Sequence, residues 1–121
     1  MSRYSVEAFD HYWEMWNERD PTRVRAHLER AVTDDFVFCD PINFHVGKDA
    51  LEANVHEFRA EQPDAEFVLA SGVDHHHNRH RYRWDFTRRG RVLVEGFDVA
   101  TVSENGLIER IDGFFGELPG L

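Results

Sequence analysis

Three side chains in this sequence, Tyr12, Asp40 and Asp98, have the types and local contexts needed for proton transfer at carbon. Tyr12 lies in a helix-like run, Asp40 ends a predicted strand, and Asp98 lies inside another strand. If a base, a phenol and a second carboxyl share one apolar pocket, they can remove a proton from beside a carbonyl and hold the enolate. The sequence therefore favours general acid–base chemistry, provided that the fold brings these side chains together.

Helical periodicity predicts the first elements of the chain. Apolar residues recur at helical spacing over residues 6–19 and leave one polar stripe, which consists of Glu7, His11, Glu14 and Glu18. Asp20 followed by Pro21 is typical of an N-cap with proline at the first helical position, and it predicts a short second helix. A third helix is expected over residues 48–61, after a loop at residues 42–47.

Strands are expected in the rest of the chain, from period-two alternation and turn signals, at residues 36–39, 65–77, 80–88, 91–103 and 107–115. The strongest hairpin signal is Asn105-Gly106. The order of elements predicts an α+β fold with helices packed on one face of a curved, mostly antiparallel sheet. The sequence has no repeat, linker or low-complexity tract, so residues 1–121 are expected to form a single domain.

Alternation along the strands predicts which side chains face inward. Asp98 shares its face with small apolar residues, namely Val94, Gly96, Ala100 and Val102. A carboxyl in that setting either pairs with a partner or stays protonated because of desolvation, and both outcomes mark a candidate site. On the preceding strand the inward set is aromatic and the outward set is arginine, as a sheet with one packed and one solvated face requires.

The composition limits the partners that are expected. The chain has 14 Lys and Arg against 23 Asp and Glu, a formal charge of -9, which disfavours nucleic acid and anionic membranes. No segment approaches membrane-spanning length and the first residues contain no signal-like apolar stretch, so we expect a cytoplasmic location. The single cysteine, Cys39, cannot form an internal disulfide, which agrees with a reducing compartment.

The histidine-rich segment at residues 74–80 is the only motif that suggests a metal. His75 and His77 would share a strand face, but no third ligand stands at a recognisable spacing from them. We therefore expect no metal and no other cofactor. His45, His56 and Asn54 are further candidates for polar groups at a pocket.

At the level of whole segments, the chain resembles the nuclear transport factor 2-like superfamily, and within it the SnoaL-like proteins and ketosteroid isomerases. The resemblance spans nearly the whole chain and is carried by HYWEMWNERD, DDFVFCDP and FDVATVSENGLIERIDGFFGELP. It implies a cone-shaped fold around a deep apolar pocket for a small apolar molecule, commonly in a homodimer. The outward-facing Phe97 and Val99 supply apolar area for such an interface.

Matched residue by residue, the resemblance implies a role for each of the three side chains. Asp40 falls on the catalytic base of the isomerases, Tyr12 on the oxyanion-hole tyrosine, and Asp98 on the second oxyanion donor, which must be protonated. The additional tyrosines of those isomerases are replaced here by Val32 and Val55. The residues expected to contact a substrate are Trp16, Phe44, Asn54, Val55, Trp84 and Phe115.

Each of the three residues also has a structural interpretation. Tyr12 can be a core tyrosine, Asp40 a turn residue before proline, and Asp98 one half of a buried ion pair with an arginine. Three functions therefore stay open: an acid–base enzyme, a non-catalytic pocket for a hydrophobic metabolite, and a dimerising accessory domain. In a variant of the first, Asp40 or Asp98 activates water for dehydration or epoxide opening.

Overall fold

The computed structural model describes residues 7–121, and its helices agree with the sequence pattern. Helix α1 spans Glu7–Asn17, a 3₁₀ turn spans Pro21–Arg23, α2 spans Val24–Ala31 and α3 spans Lys48–Glu61. The predicted start of α1 at residue 6 lies outside the described residues. Within the described part of the chain, no helix is both long enough and apolar enough to cross a membrane.

Both ends of the α1–α2 connection are fixed by side-chain hydrogen bonds. Helix α1 ends at Asn17, whose side-chain amide donates to the carbonyl of Phe67 and accepts from its backbone NH. Asp20 is the predicted N-cap, and its Oδ1 accepts from the backbone NH of Thr22 at 2.9 Å. The turn begins as 3₁₀ and continues as α2, so the predicted second helix is confirmed.

Seven strands of the described chain form one sheet: β1 Val32–Cys39, β2 Phe44–Val46, β3 Ala65–Leu69, β4 Asp74–His76, β5 Arg79–Arg88, β6 Arg91–Val102 and β7 Ile108–Phe115. Their order is β2-β1-β7-β6-β5-β3, with β4 also paired to β5. The β1–β7 pair is parallel and the other pairs are antiparallel. The predicted α+β class with a mostly antiparallel sheet is confirmed.

Three predicted segments differ from the structure, and the first is β1, which begins at Val32 and not at residue 36. The expected loop at residues 42–47 contains β2, which forms a tight hairpin with β1 in which the NH of Asp40 donates to the carbonyl of Asn43 at 2.9 Å. The long strand expected at residues 65–77 is divided into β3 and β4. Residues 70–73 bulge outward there, since these four residues lie opposite only two residues of β5.

The inner face of the sheet packs against α1. The predicted alternation is confirmed on β5 and β6, where His80, Tyr82 and Asp98 are buried and the arginines of β5 are exposed. Phe9 and Trp13 of α1 lie edge-on to the Tyr82 ring, at centroid distances of 5.8 and 5.4 Å. Aromatic side chains therefore join the helix layer to the strands that carry the candidate residues.

Arg59 fixes α3 against α1 and β3. Its guanidinium donates to the carbonyl of Trp16 and to the carbonyl of Ala65, each at 2.7 Å. Burial lowers the pKa of Arg59, but the group stays charged because guanidinium pKa values are so high. The end of α1, which carries Trp16, is thereby held in place beside the candidate site.

Candidate active site

An apolar cavity of about 300 Å³ lies between the helices and the inner face of the sheet. Tyr12, Asp40 and Asp98 all line it, so the fold brings the three candidate residues together. Asn43 and Asn54 are polar lining residues. The other lining residues are aromatic or aliphatic: Trp13, Trp16, Phe38, Ile42, Phe58, Phe67, Trp84, Phe86, Val94 and Phe115. The cavity therefore combines an apolar wall with a few polar groups, which is typical of small-molecule sites.

Two of the residues expected to contact a substrate lie outside the cavity lining. Phe44 pairs with Cys39 on the outer face of the β1–β2 hairpin, and it is 64% exposed. Val55 is fully buried in the core, because it lies on a different side of α3 from its neighbour Asn54. The other four expected contacts, Trp16, Asn54, Trp84 and Phe115, line the cavity.

Asp98 is the most strongly perturbed carboxyl of the site. It is 7% exposed, and its oxygens accept hydrogen bonds from the Tyr82 hydroxyl and the Trp84 indole NH, each at 3.0 Å. Burial raises its pKa to about 6, with a smaller contribution from the charge of Asp40, although the two hydrogen bonds oppose the shift. Its hydrogen-bond donors are neutral, in contrast to the arginine partner considered from the sequence.

Tyr12 is a permanent hydrogen-bond donor in this site. Its side chain is buried, and burial together with the negative charge of Asp98 raises its pKa well above the usual range. The phenol therefore stays protonated at any physiological pH. A neutral phenol beside a carboxylate can donate to an oxygen on which negative charge develops.

Asp40 is both a turn residue and a cavity residue. Its Oδ1 accepts from the backbone NH groups of Ile42 and Asn43, at 2.9 and 2.8 Å, so it closes the turn after β1. The same side chain lines the cavity and is half-buried. Asp40 is therefore the turn residue that the structural interpretation expects, and it also lies at the cavity.

Gly113 and Tyr82 belong to the site, although the sequence pattern did not assign them to it. Gly113 lies opposite Asp98 in the sheet, and a Cβ atom there would lie 2.7 Å from Asp98 Oδ1 and 3.4 Å from the Cβ of Asp40. The missing side chain lets the two carboxyls approach each other. Tyr82 lies opposite Asp98 on the other side, in β5, which explains its hydrogen bond.

Comparison with known proteins places this fold and cavity in a class. A structure of a nuclear transport factor 2-like protein from Exiguobacterium sp. 255-15 is similar, with a TM-score of 0.76 and 18% identity over 92% of this chain and 99% of the other. The model of the SnoaL-like domain family matches residues 9–111. The chain therefore belongs to the SnoaL-like family.

Two similar structures have names that suggest activities for those proteins. One is a SnoaL-like family protein from Agrobacterium tumefaciens strain C58, named as a proposed isomerase, with 27% identity, a TM-score of 0.86, and coverage of 97% of this chain and 100% of the other. Another, from Jannaschia sp. CCS1, is named as a proposed polyketide cyclase, with 14% identity, a TM-score of 0.71, and coverage of 95% and 89%. No curated protein matches the sequence.

Proposed function

We propose that this protein is an acid–base enzyme that moves a proton on a small apolar carbonyl compound. The observation that carries the proposal is Asp98, a buried carboxyl with a pKa of about 6 that shares an apolar cavity with the phenol of Tyr12. A general base works best when its pKa lies near the working pH, and a carboxyl reaches that range through burial. One similar SnoaL-like protein is named as a proposed isomerase, and an enzyme that moves a proton within a carbonyl compound would belong to that class.

The geometry favours an exchange of the two carboxyl roles that the family resemblance implies. With a pKa of about 6, Asp98 is mainly ionised at neutral pH, and both of its oxygens already accept hydrogen bonds. In our proposal Asp98 takes the proton from carbon and Tyr12 donates to the enolate oxygen. Asp40 holds the rim of the cavity, and its charge helps to raise the pKa of Asp98.

The cavity limits the substrate to a small and largely apolar molecule. Its volume of about 300 Å³ lies at the lower end of the range for ligand sites, and its walls are mainly aromatic. Asn54 Oδ1 is buried at the cavity with no hydrogen-bond partner among the described residues. A hydroxyl or NH group on the substrate would satisfy that oxygen.

The proposal is tested by deuterium exchange at carbon. In D2O, proton NMR of small ketones such as cyclohexanone and acetophenone reports the loss of the hydrogens beside the carbonyl. We expect the wild-type protein to accelerate this loss. The Tyr12→Phe variant should be about 10²-fold slower, because one donor to the developing oxyanion is removed.

Two other outcomes of this assay have clear meanings. If the ketones quench the cavity tryptophans but exchange is never accelerated, the cavity is a binding site and the enzyme proposal fails. If the protein acts only on substrates that lose or gain water, Asp98 activates water and does not remove a proton from carbon. Val68→Phe is the matched control for Tyr12→Phe, since Val68 is half-exposed on the edge strand β3 and is absent from the cavity lining.

We also propose a homodimer that uses the outer face of the sheet. Apolar side chains on the side of the sheet opposite the helices, here called the outer apolar patch, comprise Phe44 and Val46 on β2, Phe114 on β7 and Phe97 on β6, and the Arg110–Asp112 ion pair lies between the two groups. Phe44, Val46 and Phe114 are 64, 59 and 67% exposed, and several large exposed apolar groups on one face of a sheet favour an interaction surface. The partner that fits this surface is a second copy of the chain.

Light scattering after size-exclusion chromatography checks the dimer. We expect the wild-type protein to have the mass of two chains and the Phe114→Asp variant that of one, because a charge would be buried in the interface. Val68→Asp serves as the control, since Val68 is exposed at the opposite edge of the sheet and should not affect the mass. A wild-type monomer at micromolar concentration would remove the proposal.

A further inference from the structure

A second cluster of chemically competent side chains lies on the polar stripe of α1, away from the cavity. His11 and Glu14 are almost one turn apart on α1, and His27 reaches them from α2. One nitrogen or oxygen atom from each of the three lies within 4.8 Å of the others. Because successive helical residues are rotated by about 100°, this stripe points away from Tyr12 and Trp16, which line the cavity.

The hydrogen bond between His27 and Glu18 determines which nitrogen of His27 is free. His27 Nε2 lies 2.8 Å from Glu18 Oε1, and Glu18 Oε2 accepts from the backbone NH of Asp20 at 3.2 Å. A carboxylate that receives one bond from a backbone NH and a second from a ring nitrogen acts as an acceptor in both. The proton of a neutral His27 ring therefore lies on Nε2, and Nδ1 carries a lone pair.

Glu14 is faced by two imidazole nitrogens. His27 Nδ1 lies 3.3 Å from Glu14 Oε2, and His11 Nδ1 lies 3.8 Å from the same oxygen. The Nδ1 atom of His11 is buried and has no hydrogen-bond partner among the described residues. Lone pairs that converge in this way repel one another unless a ring hydrogen or a metal ion lies between them. A metal ion would contact all three side chains at once.

We propose that His11, Glu14 and His27 bind a zinc ion that links α1 to α2. Two histidines and one glutamate form a donor set that Zn²⁺ accepts, with water in the fourth position. In a tetrahedral zinc site with such ligands, neighbouring donor atoms are about 3.3–3.5 Å apart. The 3.3 Å between His27 and Glu14 meets this distance, and His11, which lies 3.8 Å from Glu14 and within 4.8 Å of His27, would have to move closer to both.

The surroundings of the cluster also suit a zinc site. Glu18 holds the Nε2–H of His27, as carboxylates commonly do for histidines that bind zinc through their other nitrogen. His11 and His27 have side chains that are 18 and 22% exposed, so the ion would be half-enclosed with an open path from solvent. Such an ion would stabilise the contact between the two helices and would take no part in the proposed reaction.

Titration calorimetry with Zn²⁺ and chelator-treated protein tests the site. We expect one Zn²⁺ per chain, with affinity at least about 10-fold weaker in Glu14→Gln and in His27→Gln. The matched control replaces His75, His76 and His77 by glutamine, because they form the other histidine cluster of the chain. This control should bind as tightly as the wild type.

An NMR measurement on the wild-type protein tests the site without any variant that could fail to fold. In long-range proton–nitrogen spectra of the imidazole rings, Zn²⁺ should shift the Nδ1 signals of His11 and His27 and leave those of residues 75–77 in place. Three results would overturn the proposal. They are shifts confined to residues 75–77, loss of binding in the control variant, and no binding by the wild type at sub-millimolar Zn²⁺.

Discussion

Replacing Asp98 by asparagine is expected to lower the rate of carbon–hydrogen exchange by 10²- to 10⁴-fold, about the contribution of one general base. The amide has nearly the same shape as the carboxyl, its oxygen can still accept from the Trp84 indole, and the Tyr82 hydroxyl can rotate to accept from its NH₂ group. The fold and the cavity should therefore persist. The measurement is kcat/KM in the exchange assay, with circular dichroism to confirm folding.

Two further variants separate the roles of the two carboxyls. Glu95→Gln is the matched control, since Glu95 lies on the outer face of the same strand and is exposed. Its exchange rate should equal that of the wild type. If Asp40→Asn abolishes exchange and Asp98→Asn retains most of it, Asp40 is the base, as the family resemblance implies.

The pH dependence of kcat/KM in the wild-type protein also shows whether Asp98 acts as a base or as a protonated donor. An ionised Asp98 acting as base requires kcat/KM to rise through about pH 6 and then level off. A protonated Asp98 acting as donor requires kcat/KM to fall over the same range. The direction of the change at pH 6 therefore decides between the two roles.

The same raised pKa makes Asp98 costly for stability. A folded pKa of about 6 against an ordinary value of 3.8 means that ionisation of the buried carboxyl removes ~3 kcal/mol from the free energy of unfolding. The stability contributed by protonated Asp98 is complete below about pH 4 and is lost as the pH rises through 6. In urea unfolding, the Asp98→Asn variant should lack this loss and should be more stable than the wild type at pH 7.

The Gly96→Ala substitution is expected to lower both the free energy of unfolding and the affinity for ligand. Gly96 lies opposite Trp84 in the sheet, and an added Cβ would lie only 2.0 Å from two atoms of the Trp84 ring. In Gly96→Ala the indole must leave its place, which breaks its hydrogen bond to Asp98 and pushes it toward the cavity. We expect a loss of ~3 kcal/mol in urea unfolding, together with loss of ligand binding.

The matched control for this substitution is Gly72→Ala, because no atom lies within 4 Å of a Cβ at Gly72 and its backbone needs no left-handed conformation. Its free energy of unfolding should not fall. If Gly96→Ala is as stable as the wild type and still binds ligand, the Trp84 indole does not pack against Gly96 as closely as described.

Local patterns predicted most of the fold, because capping, helical periodicity and strand alternation act over a few residues. The Asp20 cap, the bounds of α3 and the inward set on β6 all follow from such short-range rules. The position of Phe44 did not follow, since it depends on β2, a three-residue strand that exists only through its pairing with β1. A strand that short has no periodicity of its own to read.

The residue opposite Asp98 on β5 is determined by a β-bulge, and the alternation pattern of the two strands indicates this bulge. A two-residue turn at residues 89–90 pairs Arg88 with Arg91, and continuing that register would place Arg81 opposite Asp98. The inward sets on both strands are even-numbered, however, and even residues cannot face even residues in that register. The bulge between Phe86 and Thr87 resolves the conflict and places Tyr82 opposite Asp98. The turn register and the strand alternation, taken together, therefore predict the bulge.

The position of β7 in the sheet has a consequence for how the protein folds during synthesis. The strands β1 and β2 leave the ribosome early, but they join the rest of the sheet only through β7, by way of its parallel pairing with β1. Contacts this far apart in sequence form late, because a long loop must close first. Asp40 and Asp98 therefore come together only after β7 has inserted between β1 and β6, so the cavity forms late in folding.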